Sequence, residues 1–334
     1  MADLFAFAEE SETRRRQMLR TAFGPAIAAA LTDPTVIEVM VNPDGRLWLD
    51  KVGTGRIDTG ERIAATEVER IIRLVAAHMR REVTEKAPIV SAELPESGER
   101  FEGLIPPVAA APCFAIRKPA EVLYRLDDYV AARLMSPAQA DVLRTAIHDR
   151  RNIVVAGGTS SGKTTLVNAL LAEIASLGER IVILEDTREL RCAAPDCVAL
   201  RTRPGVVSLA DLVRSTLRLR PDRIIVGEVR GPEALDMLKA WNTGHPGGLT
   251  TVHANSPLMA LYRLESLIQE AVVTVPRELL ALAIELIVFI DGRGAKRRVS
   301  GLFEVQGLDD GGDYRLKAVG GPELRLISGD GDPL

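Results

Sequence analysis

A chain of 334 residues is longer than one ordinary small domain and suits two, each with its own buried core. An apolar share of 46% and a charged share of 26% lie near the globular average, which excludes a disordered or membrane-embedded body. With 42 basic against 46 acidic side chains the net charge is −4, so nothing in the overall charge calls for a nucleic-acid binder.

The first residues, MADLFAFAEESETRRRQ, place acids directly after a short apolar stretch and lack the basic-then-apolar order of a signal peptide, so the chain is expected to stay where it is made. Residues 36–41, 46–49, 101–105 and 113–117 are short apolar or alternating runs that predict strands. Between them, Val68, Ile71, Ile72, Val75 and Met79 make a helical stripe over residues 66–81. Asn42-Pro43-Asp44-Gly45 predicts a hairpin turn and Gly53-Thr54-Gly55 a second turn. Residues 1–120 therefore predict a small α+β domain. Pro119 and Pro137 bracket a linker over residues 121–136, and Ser136 is placed to cap a helix starting at Pro137.

From there to residue 334 helices alternate with strongly apolar strands, the pattern of a parallel sheet covered on both faces, and hence an α/β domain over 137–334. Residues 151–156 predict a strand and residues 164–176 an amphipathic helix closed by Gly178. Between them lies Gly157-Gly158-Thr159-Ser160-Ser161-Gly162-Lys163-Thr164-Thr165. That strand, glycine-rich loop and helix order lets backbone N–H groups converge on phosphates at a helix N-terminus. Lys163 is expected at the β- and γ-phosphates of ATP and Thr164 on Mg2+.

Two further apolar strands, 181–184 and 224–226, end in Glu185-Asp186-Thr187 and Gly227-Glu228. The carboxyl ends of parallel strands face the ligand crevice, so these acids are expected to point at the nucleotide. Capping of the following helix is the alternative for Glu185 and Asp186. His245 and His253 fall in a glycine-rich stretch after the Glu228 strand and predict a loop and strand that sense the γ-phosphate. A helix over 209–219 leads into Arg218, Arg220 and Arg223, either transition-state cations or cations favoured by a helix end. Cys113, Cys192 and Cys197 fit reduced thiols, and no second ligand pair accompanies Cys192 and Cys197 for zinc. The apolar run 279–290 carries Glu285 and falls short of the ~18 to 20 residues a bilayer crossing needs. The Gly/Asp-rich stretches at 309–313 and 328–332 predict a turn and a frayed end.

Four boxes in order, the loop at 157–165, Ile183-Leu184-Glu185-Asp186-Thr187, the strand 220–228 and the histidine box 244–254, resemble the ATPases of type IV secretion, type II secretion and type IV pili. Ile116-Arg117-Lys118-Pro119 extends the resemblance over most of residues 30–295, with the TrbB-like conjugal transfer ATPases the most similar branch. The resemblance implies a RecA-like P-loop domain behind a PAS-like α+β domain, ATP and Mg2+ as cofactors, and a homohexameric ring at the cytoplasmic face of the inner membrane. It implies secretion or conjugation components as partners and no sequence-specific nucleic acid. It also makes Glu228 the Walker B acid, Glu185 the residue that positions the attacking water, and Arg117, with Arg100 behind it, a γ-phosphate contact from the N-terminal domain, while His253 keeps the catalytic place that the histidine stretch gives it. The four-cysteine zinc insertion of many type II members is missing; the pilus branch stays open. So do a P-loop kinase, a nucleic-acid translocase and a nucleotide-responsive scaffold without turnover.

Overall fold

The computed structural model describes residues 2–79, 81–94, 98–119, 124–203, 205–292 and 294–321. The chain divides into two compact units, Met1–Glu121 and Val122–Leu334. The second thus begins within the stretch expected as a linker, which holds a helix of its own. The expected frayed end at 328–332 lies outside the described residues.

In the first unit, α1 (Ala2–Thr32) breaks direction at Gly24, whose φ of 67° precedes Pro25. Strands β1 (Val36–Val41) and β2 (Arg46–Lys51) form the hairpin expected from Asn42-Pro43-Asp44-Gly45, followed by β3 (Gly55–Arg62) and α2 (Ala65–His78). Then come β4 (Ile89–Glu93), β5 (Arg100–Leu104) and β6 (Cys113–Arg117). The six strands pair antiparallel in the order β3-β2-β1-β6-β5-β4. Val39, Val41, Phe101, Phe114 and Ile116 meet the apolar stripe of α2 and Phe23 and Ile27 of α1 in one core. Burying apolar side chains of this size contributes about 1.5–3 kcal/mol each, which sets the face the sheet turns inward.

The second unit opens with α3 (Leu126–Ala131) and α4 (Pro137–His148). Ser136 caps α4 as its sequence predicts: its Oγ accepts from the Gln139 N–H at 3.1 Å, and Gln139 accepts from the Ser136 N–H at 2.8 Å. After β7 (Ile153–Gly157) and α5 (Lys163–Ile174) come β8 (Ile181–Glu185), β9 (Cys197–Arg201) and α6 (Leu209–Thr216). The chain continues through β10 (Arg223–Val226), α7 (Glu233–Asn242), β11 (Leu249–His253), α8 (Pro257–Gln269) and α9 (Arg277–Ala283). Strands β12 (Leu286–Asp291), β13 (Arg298–Leu308) and β14 (Tyr314–Val319) end it.

The sheet order is β14-β13-β12-β7-β11-β10-β8-β9. From β12 to β9 neighbours run parallel, while β13 and β14 add an antiparallel ribbon. The sheet is therefore mixed where the sequence predicts a parallel one, because the Gly/Asp turn near residue 310 closes a hairpin after the last helix. Alternation along the strands fills both faces: Val154, Val182, Ile224 and Val252 pack against α6 to α9. Ile153, Ile183, Ile225 and Val288 pack against α3, α4 and α5. A sheet buried on both sides needs continuous apolar strands, which is what β7, β8 and β10 supply. Among the described residues no helix is long and apolar enough to cross a membrane.

Candidate nucleotide site

The parallel strands end together at one edge of the sheet, and β7 delivers the glycine-rich loop there. Gly157 lies so close to the end of β12 that an added Cβ would sit 2.5 Å from the Ile290 carbonyl oxygen. Gly162 precedes α5 in the left-handed region, with φ 92°. Ser160 also adopts a positive φ of 61°, an uncommon conformation for a residue with a side chain. The loop is thereby wrapped around the N-terminus of α5, where free N–H groups and the helix dipole favour an anion.

The loop leaves one buried hydroxyl for a ligand to meet. Ser161 is 2% exposed and its Oγ has no hydrogen-bond partner. A buried hydroxyl without a partner is costly unless a ligand supplies one. Thr159 and Ser160 are exposed at the loop tip, and Thr164 and Thr165 are half-buried at the start of the helix. Lys163, 7% exposed, folds its Nζ back onto the carbonyls of Gly157 at 3.1 Å and Gly158 at 3.0 Å.

Lys163 also begins a chain of contacts across the strand ends. Its Nζ lies 3.2 Å from His253 Nδ1. His253 Nε2 lies 2.7 Å from Glu228 Oε1, an ion-pair distance without hydrogen-bond geometry. Arg230 donates through Nε to Glu228 Oε2 at 2.6 Å, and its Nη2 meets the same oxygen. Burial, and then the Lys163 charge, hold the His253 imidazole below its ordinary pKa against the opposing pull of Glu228.

The acidic box divides its labour. Glu185, 5% exposed, accepts the N–H groups of Glu189 at 2.9 Å and Leu190 at 2.8 Å through Oε1. Burial pushes its carboxyl up to about 7, against the lowering effect of those two bonds. Asp186 is exposed and accepts from Thr202 Oγ1 at 2.9 Å. The acid beside the cradle is instead Glu189, whose Oε2 accepts from Thr164 Oγ1 at 3.2 Å. Nothing in the local pattern marks Glu189, which lies past the end of β8 and meets Thr164 only through the fold. Thr164 Oγ and a carboxylate are hard oxygen donors, the chemistry Mg2+ takes.

His245 lies before the start of β11, whereas His253 ends that strand opposite Gly157. The two histidines therefore sit at opposite ends of β11, and the expected two-histidine sensor reduces to His253. Arg223 begins β10 at that far end, 1% exposed, and binds Glu179, the Ile147 carbonyl at 2.7 Å and the Gly247 carbonyl at 3.4 Å. It is an internal brace, while Arg218 and Arg220 are exposed. Arg117 and Arg100 are register partners on β6 and β5 of the first unit, and Arg117 Nη1 lies 3.8 Å from Glu38 Oε1. Burial raises the Cys197 thiol to about 12, with Cys192 adding to the effect, so it holds its proton. No cluster of metal-ligating side chains occurs among the described residues.

The Type II/IV secretion system protein family matches residues 24–291. The conjugal transfer protein TrbB of Rhizobium radiobacter is 49% identical over 299 residues, which cover 89% of this chain and 92% of that protein. The type IV secretion system protein PtlH of Bordetella pertussis is 34% identical over 317 residues, 83% of this chain and 93% of PtlH. In fold, the ATPase DotB of Legionella pneumophila matches with a TM-score of 0.57 at 20% identity, over 80% of this chain and 74% of that one.

Proposed function

The chain belongs to the Type II/IV secretion system protein family, conjugal transfer proteins among its relatives, and from that premise we propose that it binds ATP with Mg2+ at the loop 157–165 and hydrolyses it to drive a conjugative or type IV secretion machine. The observation that carries the reading is the joined set at the strand ends: a phosphate cradle with the unpartnered Ser161 hydroxyl, linked through Lys163 and His253 to Glu228. A glycine-rich turn that merely connected β7 to α5 would need none of these. The second unit reads as a RecA-like domain and the first as a PAS-like one, on the motif order and the strand order together.

In this reading N–H groups of residues 158–165 bind the β-phosphate, and Lys163 releases its carbonyl partners to reach the β- and γ-phosphates. Thr164 and Glu189 would hold the cation, which would supply neutralising charge at the transferred phosphate. Glu185 positions the loop that carries Glu189, so it acts on the attacking water through that loop. Glu228 orients water from the opposite side, and His253 reports an occupied γ-position through its contacts to Lys163 and Glu228. Six copies form a ring held peripherally at the inner membrane by secretion components, and successive closure and release convert hydrolysis into rigid-body work.

The test is Mg2+-dependent ATP hydrolysis by the wild type, Lys163→Ala and Glu228→Gln, with light-scattering mass in ADP and in ATP. Expected are a mass near six chains, turnover lost in both variants, and ATP binding kept in Glu228→Gln. Hydrolysis surviving without Lys163, or a monomer under every condition, would refute the assignment.

A further inference from the structure

The cradle after β7 has two flanks. On one side β11 and β10 bring His253 and Glu228; on the other lies β12, whose Ile290 pairs with Gly157. The connection from β12 to β13 turns tightly at Gly292, where an added Cβ would fall 2.2 Å from the Lys296 carbonyl oxygen. That turn aims Arg297 back over the loop. Its guanidinium packs on Gly162, the residue just before α5: an added Cβ there would lie 2.7 Å from Arg297 Nη1 and 3.0 Å from Cζ.

This is an odd place for a cation. The helix N-terminus carries positive partial charge, and Lys163 follows Gly162 directly. Arg297 nonetheless has a buried Nε without a hydrogen-bond partner, and no acidic side chain pairs with it among the described residues. Tyr129, 2% exposed on α3, feels the Arg297 charge and has an unpartnered hydroxyl of its own. Tyr124 meets Tyr129 edge-on, with ring centroids 5.8 Å apart. Two unpartnered polar groups and an aromatic pair thus line the flank opposite Glu228. An anion seated there would satisfy Arg297 and remove the repulsion at once.

Resting on the reading that the loop binds ATP, we propose that Arg297 grips the nucleotide at the α- and β-phosphates, the part that ATP and ADP share, from the β12–β13 connection. The assignment to that part follows from the sheet order. Lys163, His253 and Glu228 draw the γ-phosphate toward β11 and β10, so the α-phosphate and the nucleoside extend toward β12 and α3. Arg297 is therefore a binding residue that does not distinguish the nucleotide before hydrolysis from the one after it.

The experiment is titration of the full chain with ADP and with a non-hydrolysable ATP analogue, for the wild type, Arg297→Gln, Arg297→Lys and Lys163→Ala, alongside steady-state hydrolysis. Arg297→Gln is expected to weaken both nucleotides by a similar factor, roughly tenfold to a hundredfold, the scale of a charge-assisted hydrogen bond. KM rises with it while kcat stays within about twofold, and Arg297→Lys recovers part of the affinity. A side chain that only supported the fold would not give this split, and unliganded melting temperatures check that each variant is folded. ADP affinity unchanged in both Arg297 variants overturns the proposal while leaving the loop assignment intact, provided Lys163→Ala loses binding. A loss confined to the ATP analogue or to kcat overturns it too, by moving Arg297 to the γ-phosphate side. A wild type that binds neither nucleotide overturns the loop reading and this one with it.

Discussion

Replacing Glu185 by Gln isolates what burying that carboxyl does to stability. The carboxyl stands at about 7 in the folded chain against an ordinary 4.5, chiefly because it is buried. At about 1.4 kcal/mol per pH unit, this amounts to about 3 kcal/mol against carrying the charge inside. The sign follows from proton counting. Below pH 4.5 both folded and unfolded chains hold the proton and the group is neutral to stability in either; between 4.5 and 7 the unfolded chain releases it first, so stability falls as pH rises; above 7 the loss is complete. Gln keeps an oxygen to accept the Glu189 and Leu190 N–H groups but has no charge to bury. Its amide NH2 adds a fixed cost that is the same at every pH, and His253, whose depressed pKa acts with the opposite sign, is present in both proteins. The stability difference between Glu185→Gln and wild type should therefore grow in favour of Gln by about 2 kcal/mol between pH 5 and pH 8. Urea unfolding at both pH values measures it. A difference that stays constant across that range would refute the view that Glu185 is buried against its ionised form.

Two other substitutions probe the site and its support. Glu189→Gln should leave nucleotide affinity within a few fold yet lower turnover by at least about tenfold and raise the Mg2+ concentration needed for half-maximal activity; an unaltered Mg2+ titration would exclude Glu189 from the cation's surroundings. Gly248→Ala should destabilise the second unit by about 3 kcal/mol or more, because its Cβ would fall 2.0 Å from the Trp241 ring, whose Nε1 is anchored to the Ile224 carbonyl at 3.1 Å; a denaturant midpoint shift worth less than about 1 kcal/mol would contradict that packing.

Which elements could be read beforehand follows from where they lie. Strands β7, β8 and β10 are covered on both faces and so are apolar along their middles, with Glu185 and Arg223 only at strand ends, the strongest pattern a strand can have. The outermost strands gave no comparable signal. In β3 Gly55–Arg62 no residue is buried, and β9 Cys197–Arg201 is half-exposed at the other sheet's edge, so neither needs an apolar stripe. The site divides along the same line. Residues fixed by local chain order, such as Ser161, Lys163 and Thr164, announce themselves in the loop. Glu228 and His253 follow from the rule that strand ends converge. Glu189 and Arg297 escape because their neighbours are remote in sequence: one meets Thr164 from beyond β8, the other meets Gly162 from a turn of glycines and cations after β12. The sequence rule places Glu185 at a strand end facing the crevice, whereas burial and its two backbone partners turn its carboxylate inward onto the Glu189 and Leu190 N–H groups.

The bonds that Lys163 makes to the Gly157 and Gly158 carbonyls and to His253 give the loop a built-in rival for its ligand. Under the proposed reading, a phosphate would gain Lys163 only by displacing partners already held, so its affinity would be the difference between two occupied states. On the proposed nucleotide reading the same contacts would re-form as the ligand leaves, so the loop would give up tightness of binding for ease of release.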